Sequence, residues 1–343
     1  MEPTKIGNAK LYLGDALAQL RQLPTDSVQC CVTSPPYYLL RDYGVAGQIG
    51  LEKTPSEFIA RLVEVFEEVR RVLRPDGTLW VNMGDCYAQT SKGMNIGDAS
   101  TLNSSARRSQ AESRKAAVNR SRISENYKRK DLMGMPWRLA FALLDAGWYL
   151  RRDIIWHKPS PLPEAVYDRP TTSHEYIFLL SKSPKYFYDF ESSKVPCTGN
   201  AHARVKPGKR EMASTPKGEI SPKEVRGSNR FNRFTTDLVE TRNLRSVWTV
   251  PPEPFAGAHF ATYPRALVRP CLLAGTKPGS VVLDPFMGSG TTGVVALELD
   301  CQFWGIELNP DYFEIACQRL ERVAAQPKLF TGNEVFPEMK EVV

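Results

Sequence analysis

Ser280-Val281-Val282-Leu283-Asp284-Pro285-Phe286-Met287-Gly288-Ser289-Gly290-Thr291-Thr292-Gly293 is the stretch on which the reading of this chain turns. It ends an apolar strand, makes a glycine turn and opens a helix. The six residues from Gly288 to Gly293 fit G-x-G-x-x-G, and the next strand, Gln302 to Glu307, ends on an acid roughly 20 residues on. Glycines allow the backbone to approach a ligand closely, and a carboxylate at the following strand end can take both hydroxyls of a ribose. The pattern therefore predicts a nucleoside-bearing cofactor without saying which. Asp284 narrows the choice. A negative charge at the strand end repels a pyrophosphate but suits a cationic amino-acid tail or a sulfonium.

Outward from this stretch the chain alternates strand-like and helix-like segments. The N-terminal part has the strands LYLG and VQCCVTS, the latter stopped by Pro35-Pro36. Helical spacing from Pro55 to Leu73 is preceded by Thr54 as N-cap, with Glu57 completing a capping box. Pro75-Asp76-Gly77 predicts a turn into the strand TLWVNMGD. A helix from Trp137 to Ala146 and the strands WYLRRDIIWH and EYIFLLS follow. After the helix from Tyr263 to Ala274 come the quoted strand, a helix from Thr291 to Leu299, QFWGIE, and a last helix from Pro310 to Ala324. Strands alternating with helices predict an α/β fold, a mostly parallel sheet covered by helices on both faces.

The chain has 343 residues, 42% hydrophobic and 24% charged, enough to bury a core without metal or disulfide staples. No run approaches the roughly 18–20 apolar residues that span a bilayer. The N-terminus carries no signal-peptide pattern, so the expected location is the cytoplasm, with no membrane partner. Seven cysteines without a C-x-x-C pair argue against a disulfide framework or a metal site. The formal charge of +7 is unevenly spread. Residues 91–130 carry ten Lys/Arg against three Asp/Glu, and residues 191–245 carry twelve against six, which leaves the rest net acidic. Two basic, apolar-poor segments on an acidic body are what a polyanion binder shows. Arg107 and Arg108 in the first segment, and Arg230 and Arg233 in the second, are the candidate nucleic-acid contacts. The division is 1–90, a basic insertion 91–130, 131–190, a separate segment 191–245, and 246–343.

Thr33-Ser34-Pro35-Pro36-Tyr37 follows directly on the strand VQCCV. Two prolines fix φ and remove two N–H donors, leaving a rigid rim of carbonyl oxygens beside the Ser34 hydroxyl and the Tyr37 ring. Such a rim suits a flat base bearing an amino group, of the kind that base-modifying enzymes flip out of the duplex. Hydrogen bonds from the amine to Ser34 and the Pro35 carbonyl would draw its delocalised nitrogen towards tetrahedral geometry, ready to attack a methyl donor.

The ordered set of motifs resembles the beta group of amino DNA methyltransferases over nearly the whole length. S-P-P-Y precedes D-P-F-M-G-S-G-T, and G-D-A at Gly14–Ala16, R-P-D-G-T-L-W-V-N, G-W-Y-L-R-R-D-I-I-W-H-K-P, H-F-A-T-Y-P and G-I-E-L-N-P accompany them. The resemblance implies a Rossmann-like methyltransferase fold with permuted motif order, the catalytic half before the cofactor half. It implies S-adenosylmethionine as cofactor, with Asp15 approaching its adenine and Glu307 holding its ribose. Asp284 would lie near its methionine end, and Phe260, Pro285, Phe286, Gly288, Ser289, Gly290 and Thr291 would lie around it. Ser34, Pro35, Pro36 and Tyr37 would form the catalytic rim. Double-stranded DNA would be the substrate, residues 191–245 would form the target-recognition region, and a restriction endonuclease acting on the same site would be the partner. Within the family S-P-P-Y goes mostly with cytosine N4 and D-P-P-Y with adenine N6, so cytosine N4 is the expected target and adenine N6 the alternative. A non-catalytic DNA-binding protein with a vestigial cofactor fold would lack an intact glycine loop, Ser34 or Tyr37, and a dehydrogenase would leave S-P-P-Y unexplained. Carbon-5 chemistry would need a nucleophile from Pro196-Cys197 or Pro270-Cys271, of which Cys271 reads as core. His157 and His174 read as structural rather than as general bases.

Overall fold

The computed structural model describes residues 2–88, 127–161, 163–197, 241–253 and 263–326. Phe260, Arg107, Arg108, Arg230 and Arg233 lie outside them, as do most of the two basic segments. Two compact units are present, Met1–Ser192 with Arg245–Val343, and Ser193–Leu244. The elements in chain order are β1 (Thr4–Ile6), β2 (Ala9–Leu13), α1 (Ala16–Leu20), β3 (Val28–Thr33), α2 (Pro55–Val72), β4 (Leu73–Met83) and α3 (Met135–Asp145). They continue with β5 (Tyr149–His157), β6 (His174–Ser181), β7 (Val195–Pro196), β8 (Thr241–Arg242), β9 (Val247–Thr249) and α4 (Arg265–Gly275). Last come β10 (Val281–Asp284), α5 (Thr291–Glu298), β11 (Gln302–Glu307) and α6 (Pro310–Ala325). In the smaller unit the described residues form the antiparallel β7–β8 pair.

Helix α2 starts where its capping box predicts. The Thr54 hydroxyl accepts from Glu57 N at 3.1 Å, and Glu57 Oε2 accepts from Thr54 N at 3.2 Å. Its stripe of Phe58, Leu62, Val65, Phe66 and Val69 is buried on the sheet. Helix α3 begins earlier than expected, at Met135, because Asp85 caps it from a distance by accepting from Met135 N at 3.0 Å. Pro75-Asp76-Gly77 does interrupt pairing. The β3–β4 register passes from Val28 opposite Leu73 to Cys30 opposite Thr78, so residues 74–77 bulge while the strand carries on.

The larger unit holds a nine-stranded sheet of order β1-β2-β11-β10-β3-β4-β6-β5-β9. Strands β2, β11, β10, β3 and β4 run parallel, β1 and β6 are antiparallel to their neighbours, and β9 pairs parallel with β5. Helices α1 to α3 pack together in one layer and α4 to α6 in another. Adjacent cysteines of β3 mark the two faces. Cys31 joins the core beneath α1 to α3, whereas a Cβ on Gly275 of α4 would come 2.8 Å from Cys30 Sγ. This is the Rossmann-like fold expected. Because β10 leads through α5 to β11 on one side, and β3 through α2 to β4 on the other, the strand order reverses between β3 and β10. A crevice opens at the carboxyl ends of strands at such a reversal.

Candidate active site and cofactor cleft

At that reversal lies an open cleft with about 880 Å³ of space, solvent mouth included. One side is the turn after β10, where Pro285, Phe286, Met287, Gly288, Ser289 and Thr291 line the wall. The other side is the end of β3, represented by Ser34 and Pro36. Gly14 and Asp15 after β2, and Glu307 at the end of β11, complete the floor.

Glu307 is held by backbone donors. Its Oε2 accepts from Gly288 N at 2.9 Å and its Oε1 from Asn309 N at 2.8 Å. Burial pushes its carboxyl up from 4.5 to about 7, against the pull of these amides, and nearby Asp284 adds to the rise. The backbone N–H of Leu308 also favours the charged form, and the two oxygens keep lone-pair capacity for further hydroxyl donors. Asp15 also lines the cleft, with Oδ1 capping α1 by accepting from Ala18 N at 2.9 Å.

Asp284 is placed differently from the expectation of a charge facing the ligand. It is fully buried and does not line the cleft. Its oxygens accept from Thr33 Oγ1 at 2.7 Å, Thr292 Oγ1 at 2.7 Å, Tyr263 Oη at 3.1 Å and Phe286 N at 3.1 Å. Burial raises its carboxyl above the usual range, and these four donors oppose the rise. Asp284 thus ties β10 to β3, to α5 and to Tyr263, two residues before α4, behind the cleft wall. Gly290 also departs from its expected role of giving a ligand room. It has φ +79°, and a Cβ there would lie 2.8 Å from Leu320 Cδ1 and 3.1 Å from Ala316 Cβ, so its small size serves α5–α6 packing.

Ser34 is half-buried in the cleft wall, while Pro35 is buried. Tyr37 stands behind Ser34, outside the lining, with its hydroxyl donating to Glu175 Oε2 at 2.6 Å and lying 3.1 Å from Asn82 Oδ1. Burial first, then the neighbouring Glu175 charge, lifts its phenol well above the ordinary value. His157 and His174 face each other across β5 and β6 outside the cleft, His157 Nδ1 lying 3.2 Å from Thr249 Oγ1. Cys271 is buried in α4, and burial raises its thiol well above the ordinary value, the reverse of an activated nucleophile.

Several site residues lie outside the S-P-P-Y and D-P-F-M-G-S-G-T motifs. Tyr43, Val45, Gly47, Gln48 and Ile49 form a cleft wall, and the Tyr43 ring meets Tyr312 of α6 edge-on at 6.0 Å. Leu39 N donates to Gly50 O at 2.7 Å and so ties this loop back to the rim. Tyr263, in H-F-A-T-Y-P, lines the cleft. From α6, Arg319 Nη1 donates to Ser289 O and Oγ, each at 2.7 Å, bracing the glycine loop from behind. No spacing rule connects these positions, although the Asn309-Pro310 start of α6, which delivers Tyr312, is a readable N-cap.

The residues fit a nucleoside: a backbone-held acid for ribose, aromatic and aliphatic walls for a flat ring, and a glycine turn. Comparison with known proteins agrees. Residues 28–318 match the DNA methylase family of N6/N4 methyltransferases. The Type II methyltransferase M.Cfr9I of Citrobacter freundii is 47% identical over 320 residues, 93% of this chain and 90% of that protein. M.SmaI of Serratia marcescens is 46% identical over 319 residues, 93% of each chain. Among solved structures, the cytosine-N4-specific PvuII DNA methyltransferase aligns with a TM-score of 0.58 at 18% identity, over 96% of this chain and 91% of that one. A DNA modification methylase of Thermus thermophilus, complexed with S-adenosyl-L-methionine, aligns with a TM-score of 0.54 at 24% identity, over 92% and 94%. These two likenesses establish the fold alone. The chain belongs to the N6/N4 DNA methylase family and is a Type II, S-adenosylmethionine-dependent DNA methyltransferase.

Proposed function

We propose that this methyltransferase transfers its methyl group to the exocyclic N4 amine of cytosine in double-stranded DNA. The observation that carries the reading is Ser34, a hydroxyl and not a carboxylate, standing in the cleft wall where β3 ends. In the family it resembles, serine at this position goes mostly with cytosine N4. A hydroxyl can accept from the amine while donating elsewhere, whereas an ionised carboxylate only accepts. Ser34 Oγ and the neighbouring Pro35 carbonyl would take the two N–H bonds of the flipped base and localise the nitrogen lone pair. The bound cofactor supplies the electrophilic methyl group. Asp15 and Glu307 would hold its nucleoside end, and the turn from Pro285 to Gly288 would border the rest. The nitrogen lone pair would form the N–C bond as the sulfonium S–C bond breaks, its electron pair staying on sulfur as a neutral thioether. The nitrogen would then release one proton to water, so no covalent enzyme intermediate is required.

The partner that fits a Type II methyltransferase is an endonuclease cutting the same site, which the methyl group would protect. Residues 191–245, with Arg230 and Arg233, would read that site, and Arg107 and Arg108 would grip phosphates. The test is mass spectrometry of nucleosides from DNA methylated by the purified protein. The expected product is N4-methylcytosine; N6-methyladenine would move the enzyme to the alternative target, and 5-methylcytosine would overturn the reading.

A further inference from the structure

Behind the serine rim lies a polar chain that the reaction as described leaves unused. Glu175, at the start of β6, accepts the Tyr37 hydroxyl proton on Oε2 at 2.6 Å and pairs through Oε1 with Lys158 Nζ. Asn82 near the end of β4 donates from Nδ2 to Glu175 Oε2 at 3.1 Å and to Tyr176 O at 3.2 Å. Lys158 in turn lies 4.3 Å from the Trp156 ring centroid. Both charged side chains are largely buried, at 22% and 16% exposure, so the pair is poorly screened. A Cβ on Gly84 would come 2.8 Å from Tyr37 Cε2, which confines that ring.

A phenol has one proton. With it committed to Glu175 Oε2 at 2.6 Å, a shorter contact to a charged acceptor than Asn82 Oδ1 at 3.1 Å, the Tyr37 oxygen accepts on its remaining side, where Ser34 Oγ is the donor at 3.5 Å. That distance is long, as hydrogen bonds in a site without substrate often are. Ser34 likewise has one proton, and spending it on Tyr37 turns its lone pairs towards the cleft.

We propose that the Lys158–Glu175 pair is a positioning device that sets the hydrogen-bond polarity of the rim, holding Ser34 as an acceptor for the target amine. Lys158 fixes which Glu175 oxygen faces Tyr37, Glu175 fixes Tyr37 as donor outward, and Tyr37 fixes Ser34 as acceptor inward. No residue of the chain need change charge. This rests on the amino-methylation reading above.

Glu175→Gln tests it, because an amide has one acceptor end and one donor end. Lys158 would hold the amide oxygen, leaving the NH2 group aimed at Tyr37. That NH2 group would also oppose Asn82 Nδ2, so Asn82 would turn its Oδ1, 3.1 Å from the Tyr37 hydroxyl, towards the new amide donor. The phenol proton would then be left with Ser34 as its acceptor, and the Ser34 proton would meet the amine's own N–H. Single-turnover methyl transfer by the full-length protein should fall about 100-fold, the scale of one lost directed dipole, with S-adenosylmethionine affinity unchanged by calorimetry. Adding Lys158→Met frees the amide to turn its oxygen to Tyr37, so Glu175→Gln/Lys158→Met should be about tenfold faster than Glu175→Gln alone. A double variant as slow as or slower than the single would overturn the proposal, as would a Glu175→Gln rate equal to wild type or a parallel loss of cofactor affinity. If Glu175→Gln does not fold by thermal unfolding, Tyr37→Phe replaces it: slowed transfer at unchanged cofactor affinity supports the relay, and wild-type transfer overturns it. The nucleoside product of the wild-type protein is identified first, so a failure of the amino-methylation reading appears before the variants are compared.

Discussion

Glu307 shows how one residue can be held in tension for a ligand. Its carboxyl, raised by burial from 4.5 to about 7, is oriented by two backbone amides towards the cleft. Hydroxyl donors favour the ionised form, so cofactor affinity should be full above about 7 and weaken below it. Calorimetric titration from about pH 8 down to about pH 5.5 should show close to tenfold weaker binding per unit below the midpoint, as a single linked proton requires. Glu307→Gln should bind more weakly throughout and flatten the profile. A flat wild-type profile would contradict a role for this carboxylate. The same shift has a sign for stability. Between 4.5 and about 7 the folded unliganded protein keeps a proton that the unfolded chain has released. Ionising Glu307 in the fold is therefore a cost, and this residue's contribution to stability declines as pH rises through that window.

At the scale of elements, the turn between β10 and α5 is legible in kind, whereas the burial of Asp284 and the packing around Gly290 are not. The strand, the glycine turn, the helix and the acid at the end of β11 follow from local patterns, as does the capping box of α2. What local pattern does not contain is a partner from far along the chain. Thr33 meets Asp284 across 251 positions, and that contact makes the aspartate a buried tie instead of a ligand-facing charge. The loop wall from Tyr43 to Ile49 has no periodicity to betray it, and the short elements β1, α1 and β9 are stabilised by neighbours more than by their own sequence. Gly290 belongs here too. Gly290→Ala should destabilise the protein by about 1–3 kcal/mol, from a strained positive φ and from crowding Leu320 and Ala316. Urea unfolding measures this; unchanged stability would mean that the α5–α6 contact is not what the glycine serves.

At the scale of the molecule, charge and topology divide the work. The two basic segments carry more positive charge than the whole chain, and the remaining residues together are net acidic. DNA binding should therefore weaken steeply with added salt as counterions are released. Replacing Arg107 and Arg108 should lower affinity equally on cognate and altered duplexes. Replacing Arg230 or Arg233 should instead erode the preference for the cognate site, by about 1–3 kcal/mol per lost base contact. Titrations at several salt concentrations separate the two, and the opposite pattern would move the recognition region to the first segment.

The sheet itself divides at the β3–β10 reversal, with the residues proposed to hold the cofactor on the β10–β11 side and the proposed amine-activating rim on the β3 side. Ser34→Ala tests this division most directly, by comparing single-turnover methyl transfer to cognate DNA with S-adenosylmethionine affinity in the same preparation. The prediction is a loss of about 100-fold or more in rate, as for a group acting in the transition state, with cofactor affinity unchanged. Rate and affinity falling together would make the hydroxyl a structural part of the cleft and contradict the account.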